Sequence, residues 1–154
     1  MSIGATALSA LKARLEKITN ANGYAVDVKT VRLNRSAMDL DVPDQECPLI
    51  DIIQDGTTPE HGASSHIKDE TDFILLLVHG KDVDDLVMED FVADVRACLY
   101  ADNPNGTGNT GINLGGTVTK MQWKGLVYDL NMIAANRRYA MTWTMIKHYS
   151  TYQR

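Results

Sequence analysis

Apolar positions in this chain recur with two periods, and the switches between them outline the fold. Ile3, Ala7, Leu8, Leu11, Leu15 and Ile18 return every three or four residues, which predicts an amphipathic helix from about Thr6 to Asn20. Asn22-Gly23 then supplies residues that tolerate the left-handed backbone at a helix end. Val26, Val28, Val31 and Leu33 suggest a strand with a change of parity near Lys29-Thr30, and Leu49 to Ile53 reads as a short one. Between them, Asp39 to Pro48 is acidic and carries two prolines, the signature of a connection or an edge. Asp55-Gly56-Thr57-Thr58-Pro59 breaks the pattern, and a loop is expected on to about Lys68. A loop that long in a compact domain commonly carries function.

Phe73 to Val78 is apolar on both faces, as in a central strand covered on both sides. Val83 to Tyr100 is the clearest helix, with Met88, Phe91, Val92, Val95 and Leu99 on one stripe. Asp82, Asp84 and Asp85 crowd its start, where a carboxylate meets the helix dipole and one is expected to cap it. A Gly- and Asn-rich loop follows, then a strand over Thr117 to Trp123. From Arg137 to Tyr149 the period is two. Tyr139, Met141, Trp143, Met145 and Tyr149 share a face predicted to lie on the core, and Arg138, Ala140, Thr142, Thr144 and His148 share one predicted to face solvent or a partner. The expected fold is one α+β domain over residues 1–154: a mainly antiparallel sheet with two helices laid against it.

Composition narrows the function classes. A hydrophobic fraction of 44% and a charged fraction of 23% are ordinary for a globular chain. The net charge of −5 gives no basic surface for nonspecific duplex binding. Cys47 and Cys98 are too few for a disulfide framework, and without an export signal at the N-terminus they are expected to be reduced thiols made in a cytosol. No apolar run approaches the roughly 20 residues that span a bilayer, so no membrane association is expected.

Candidate chemistry is thin. Gly106 to Gly111 spells G-x-G-x-x-G, with Asp129 eighteen residues further on. The dinucleotide fingerprint needs a strand before the glycines and a helix N-terminus after them, and here that order is inverted. His61 and His66 lie near Glu60, Asp69 and Glu70, yet a five-residue spacing in a Ser/Gly loop preorganises no metal site. No serine sits in a nucleophile elbow, and neither cysteine has a histidine nearby in sequence. Asp39, Asp41, Asp44 and Glu46 fit a solvated acidic face better than a two-metal nuclease, lacking basic neighbours to hold nucleic acid. No catalytic residue, metal or cofactor is expected. Arg137 and Arg138 beside Trp143 and Tyr149 have instead the composition of an interface hot spot.

The order of these elements resembles the tail terminator, or tail completion, proteins of long-tailed bacteriophages. The residues that carry the likeness run from the strand with Arg32 and Arg35, through the acidic connection, Phe73–Val78 and the helix Asp84–Tyr100, to Gly115-Gly116-Thr117-Val118, Trp123, Arg138-Tyr139-Ala140-Met141 and Tyr149. The resemblance covers most of the chain, and residues 55–69 depart from it. It implies a non-enzymatic virion protein that forms a ring, typically of six subunits, on the head-proximal end of the tail tube. There it stops polymerisation and joins the tail to a neck or head connector, with DNA passing through unbound. It also implies assembly in the host cytoplasm and residence at the tail–neck junction. On that basis Arg137, Arg138, Trp143 and Tyr149 are candidates for the oligomer or tube interface, and Asp39 and Asp41 for the lumen. The loops 56–68 and 103–116 are the expected docking segments. Another neck or head-completion protein is the nearest alternative, and a small ligand-binding or enzymatic domain using the glycine loop is the more distant one.

Overall fold

The computed structural model describes residues 3–33, 42–61, 66–80, 82–101, 120–127 and 137–151. Two helices, α1 (Ile3–Leu15) and α2 (Asp85–Leu99), accompany five strands: β1 (Thr30–Leu33), β2 (Leu49–His61), β3 (His66–Gly80), β4 (Lys120–Val127) and β5 (Arg137–Thr151). The strands form one sheet in the order β1-β2-β3-β5-β4. β1 and β2 run parallel, and every other pairing is antiparallel. The α+β class and the central position expected for Phe73–Val78 are both observed. Residues 103–116, with the glycine fingerprint, and Asp39 and Asp41 lie outside the described residues.

Both helices cover one face of the sheet. Ala7, Leu11, Leu15 and Ile18 of the α1 segment and Met88, Phe91, Val95 and Leu99 of α2 are buried against Ile50, Ile52, Phe73, Leu75, Leu77, Ala140 and Ile146. α1 ends at Leu15, short of the expected Asn20, and Gly23 instead closes a separate single turn, Asn20–Asn22, with φ of 89°. Asp84 caps α2, its carboxylate accepting from Val87 N–H at 3.0 Å. At the other end of α2, Arg96 lies 5.0 Å over the Trp123 ring, and Trp123 N–H donates to the Tyr100 hydroxyl at 3.3 Å. These contacts tie β4 to α2.

Both faces of β5 are covered, not only the one expected: Tyr139 and Met145 of the large-residue face are buried, but so is the face expected to meet solvent or a partner. The helix-covered face carries its small residues, with Ala140, Thr142 and Thr144 fully buried, whereas Trp143 and Met141 are only half-buried on the other face. The helices already supply the large side chains, Phe91, Leu11, Leu15 and Met88, so the facing strand must supply small ones for the layers to interdigitate. Thr142 and Thr144 reach this interior with hydroxyls that have no hydrogen-bond partner, as does the Trp123 indole N–H. Replacing an unpaired buried hydroxyl by a methyl of the same shape removes its desolvation cost. Thr142→Val and Thr144→Val are therefore each expected to stabilise the protein by about 1 kcal/mol in urea unfolding. Unchanged or lower stability would mean that the hydroxyls are satisfied in solution.

The region around residues 56–68 is not the loop expected from sequence. β2 and β3 pair without a break to His61–Ile67, apart from a bulge between Gln54 and Gly56. β5 follows β3 as far as His66–Thr151. Thr57 and Thr71 share a hydroxyl hydrogen bond of 3.0 Å across the first rungs of this extension.

Candidate functional site

The second face of the sheet is layered only in part. Residues 42–48 lie against it, and Val42 and Cys47 pack on Leu49, Leu76, Val78 and Tyr139 to form a smaller core. Next to that core, the register aligns Ile53, Ile74, Trp143 and Gly125 in one row across four strands. Ile53, Ile74 and Trp143 are half-buried. Beyond this row the face turns ionic, with Lys124 3.2 Å from Asp72 and Lys147 3.1 Å from Glu70. An aromatic centre rimmed by charge is the composition of a protein contact, although rim pairs of this exposure contribute little energy by themselves.

The four candidate interface residues do not form one patch. They span β5 from Arg137 to Tyr149, which at strand rise is about 40 Å. Consecutive residues on a strand point to opposite faces, so Arg137 and Arg138 each serve a different layer. Arg137 donates to the Val42 carbonyl from Nε at 2.9 Å and from Nη2 at 2.6 Å, and its Nη1 lies 2.7 Å from the Asp44 carboxylate. Its side chain is 11% exposed, so it holds the segment from Val42 to Asp44 down on the second face. Arg138 donates from Nη1 to the Val83 carbonyl at 3.0 Å and from Nη2 to the Asp85 carboxylate, fixing the start of α2 on the first face. Both guanidinium groups are thus engaged within the chain. Trp143 lies in the half-buried row, and Tyr149 sits opposite Lys68 in the register.

Arg32 and Asp51 form an ion pair that sequence inspection did not single out. Asp51 is fully buried on the second face and accepts from Arg32 Nε and, at 2.8 Å, from Nη2. Parallel pairing of β1 with β2 sets the two residues directly opposite each other. The alternation Leu49-Ile50-Asp51-Ile52-Ile53 offered a hint, because a carboxylate inside an apolar strand needs a partner.

Few groups are poised for chemistry. Burial pushes the Cys98 thiol pKa up, and the thiol donates to the Arg14 carbonyl at 3.1 Å. Burial also raises Cys47, whose thiol faces the Pro43 carbonyl. The inert thiol, not the thiolate, is favoured at both. Tyr24 is pushed up to about 12, chiefly by burial. Among the described residues, no three His, Cys, Asp or Glu gather into a metal-binding group, and no helix is long and apolar enough to cross a membrane.

His79 is held neutral by its surroundings. Burial first, and then the Lys29 charge, lowers its pKa; the ring lies edge-on to Phe91 at 6.1 Å, and Nδ1 accepts from Gly80 N–H at 2.8 Å. Because the folded pKa is the lower one, the unfolded chain binds the extra proton first as pH falls. Stability from this group is complete above the ordinary histidine pKa of about 6.5 and is lost as pH falls through the folded value. Urea midpoints measured downward from neutral pH should fall through that window, and His79→Leu should flatten that part of the profile. An unaltered profile would show that His79 titrates alike in both states.

A scan of the sequence against protein-family models finds no match, and a search of curated proteins finds none either.

Proposed function

We propose that this chain is a structural virion protein of the tail terminator type: a ring, six-membered in the simplest case, that caps the head-proximal end of a phage tail tube. It ends tube polymerisation and offers the surface that joins the tail to a neck or head connector. The observation that carries this proposal is the element order and the long closing strand β5, which spans the sheet from one end to the other. Support also comes from what the site holds: clamps, a half-buried apolar row with one tryptophan and thiols kept inert, a set suited to contact rather than to turnover.

The charge balance agrees with a DNA conduit. At −5 per copy a six-membered ring carries −30, and such a ring repels DNA, so phosphate attachment would not stall its passage. Asp39 and Asp41 remain the proposed lumen-facing carboxylates. Trp143 remains a proposed contact with a neighbour or with the tube, and Arg137 and Arg138 act behind it by holding both layers in place.

The test is absolute mass by light scattering over a concentration series. Six copies of 17.0 kDa give about 102 kDa, the species expected. A stable dimer at every concentration would sink the proposal, because a closed twofold pair cannot grow into a ring. The nearest rival, a neck or head-completion protein, shares the ring and differs in partner. Binding to isolated tail tubes rather than to head connectors separates the two.

A further inference from the structure

The turn after α1 places a chemically labile dipeptide under the control of the fold. Asn22 and Gly23 are both exposed, and Gly23 closes the single turn Asn20–Asn22 with φ of 89°. An asparagine followed by glycine is prone to self-attack, because the glycine carries no side chain to obstruct its own backbone nitrogen. Here two hydrogen bonds occupy the reacting groups. Asn22 Nδ2 donates to the Lys17 carbonyl at 2.8 Å, and Gly23 N–H donates to the Asn20 carbonyl at 3.0 Å. The first bond also serves the helix end, where carbonyls run out of partners in the next turn.

The turn is braced from the residues that follow it. Asn20 N–H donates to the Asp27 carboxylate at 3.1 Å, and Tyr24 N–H donates to the Thr19 carbonyl at 3.2 Å. The Asn20 side-chain amide, oriented by its hydrogen bonds, donates to the Tyr24 and Ala25 carbonyls at 3.0 and 3.1 Å. Beneath the turn, Ile18 and Val26 are buried, and Val28 N–H donates to the Ile18 carbonyl at 2.9 Å. Opening the turn therefore breaks a connected set of bonds, and closing it restores them only while Asn22 keeps its amide.

We infer that Asn22 is a fold-gated modification site, a one-way latch on the end of α1 that converts to aspartate or isoaspartate when the turn opens. In the open turn the Gly23 nitrogen gives its proton to hydroxide and forms a bond to Asn22 Cγ. The Cγ–Nδ2 bond breaks, and Nδ2 takes a proton from water and leaves as ammonia. Water then adds to one of the two carbonyls of the resulting succinimide and opens the ring. One opening gives aspartate; the other gives isoaspartate, whose backbone runs through Cγ and gains a methylene. Water is consumed, ammonia is released, and no oxidant or cofactor takes part. Neither product can donate to the Lys17 carbonyl, because a carboxylate only accepts. The added methylene also lengthens the turn, so the opened end does not reclose as before.

Incubating the full chain at mildly alkaline pH, native and in unfolding urea, tests the gate. Peptide mapping by mass spectrometry reads conversion at Asn22 separately from Asn105-Gly106, the second such pair in the chain. Native protein should convert Asn22 at least about tenfold more slowly than unfolded protein, since reaction through local opening tracks the open population. Asp27→Ala removes the brace on Asn20 and keeps the dipeptide, so it should speed conversion while circular dichroism shows the fold intact. Asn22→Asp stands for one product and should lower the melting temperature. Conversion as fast in native protein as in urea overturns the inference, because the turn then gates nothing. A folded Asp27→Ala that converts at the wild-type rate overturns it too, since the brace then does not hold the gate. A wild-type melting temperature for Asn22→Asp overturns the latch, because the modified turn then closes as well as the original.

Discussion

Arg32→Ala is expected to cost about 3–5 kcal/mol, because it leaves the Asp51 carboxylate fully buried with its guanidinium partner gone. Arg32 keeps 26% of its side chain exposed while Asp51 keeps none, so the carboxylate bears the greater desolvation. The geometry is favourable, since Nε and Nη2 grip the two carboxylate oxygens as a fork. Loss of the arginine should also loosen β1, a four-residue strand held to the sheet by one parallel neighbour. Replacing the whole pair by apolar residues, Arg32→Met with Asp51→Leu, should be near neutral, because neither charge then remains to be solvated. Urea unfolding of the single and double variants decides the matter. A loss below about 1 kcal/mol for Arg32→Ala would show that Asp51 finds water or another donor.

Arg137→Glu is the second large effect, at about 2–3 kcal/mol from lost charge-assisted hydrogen bonds to the Val42 carbonyl. The bridge to Asp44 adds little, since that carboxylate is 84% exposed, but reversal turns it into repulsion. The consequence should be local before it is global: residues 42–48 lift from the second face and uncover Cys47 and Tyr139. Cys47 is 6% exposed in the intact protein and Cys98 only 1%. A thiol reagent should therefore label Cys47 faster in the variant while Cys98 under the helices stays protected. Equal labelling of both would mean general unfolding, and no change at Cys47 would mean that the connection is held by other contacts. Any assembly defect in an Arg137 variant must be judged against this release.

Much of the body was legible because its residues pattern themselves. The stripe from Met88 to Leu99 marked α2, and Asp84 caps it as a carboxylate at that place should. Phe73 to Val78, apolar on both faces, marked the central strand, and the sheet does carry a core on each side of it. The continuation of β2 and β3 beyond the bulge was not legible. Gly56-Thr57-Thr58-Pro59-Glu60-His61 carries no apolar alternation, so nothing in its pattern reveals a strand. Its pairing is set by backbone hydrogen bonds continued from the apolar half of the same strands. The candidate site was legible only in part: the period of β5 put Arg138 and Trp143 on opposite faces, but not which layer each arginine would hold.

What the sequence determined by itself is the class and the inventory. Hydrophobic period fixed the main helices and the central strand, and the scarcity of organised chemical groups turned attention from catalysis to contact. Tertiary structure decided which face of β5 meets the helices, joined Arg32 to Asp51, and turned Arg137 and Arg138 into clamps for two different layers. The physical reason is that period reports only that two faces differ. Which face a helix covers depends on the volumes it brings, and ion pairs and clamps join residues that only the packed layers bring within reach.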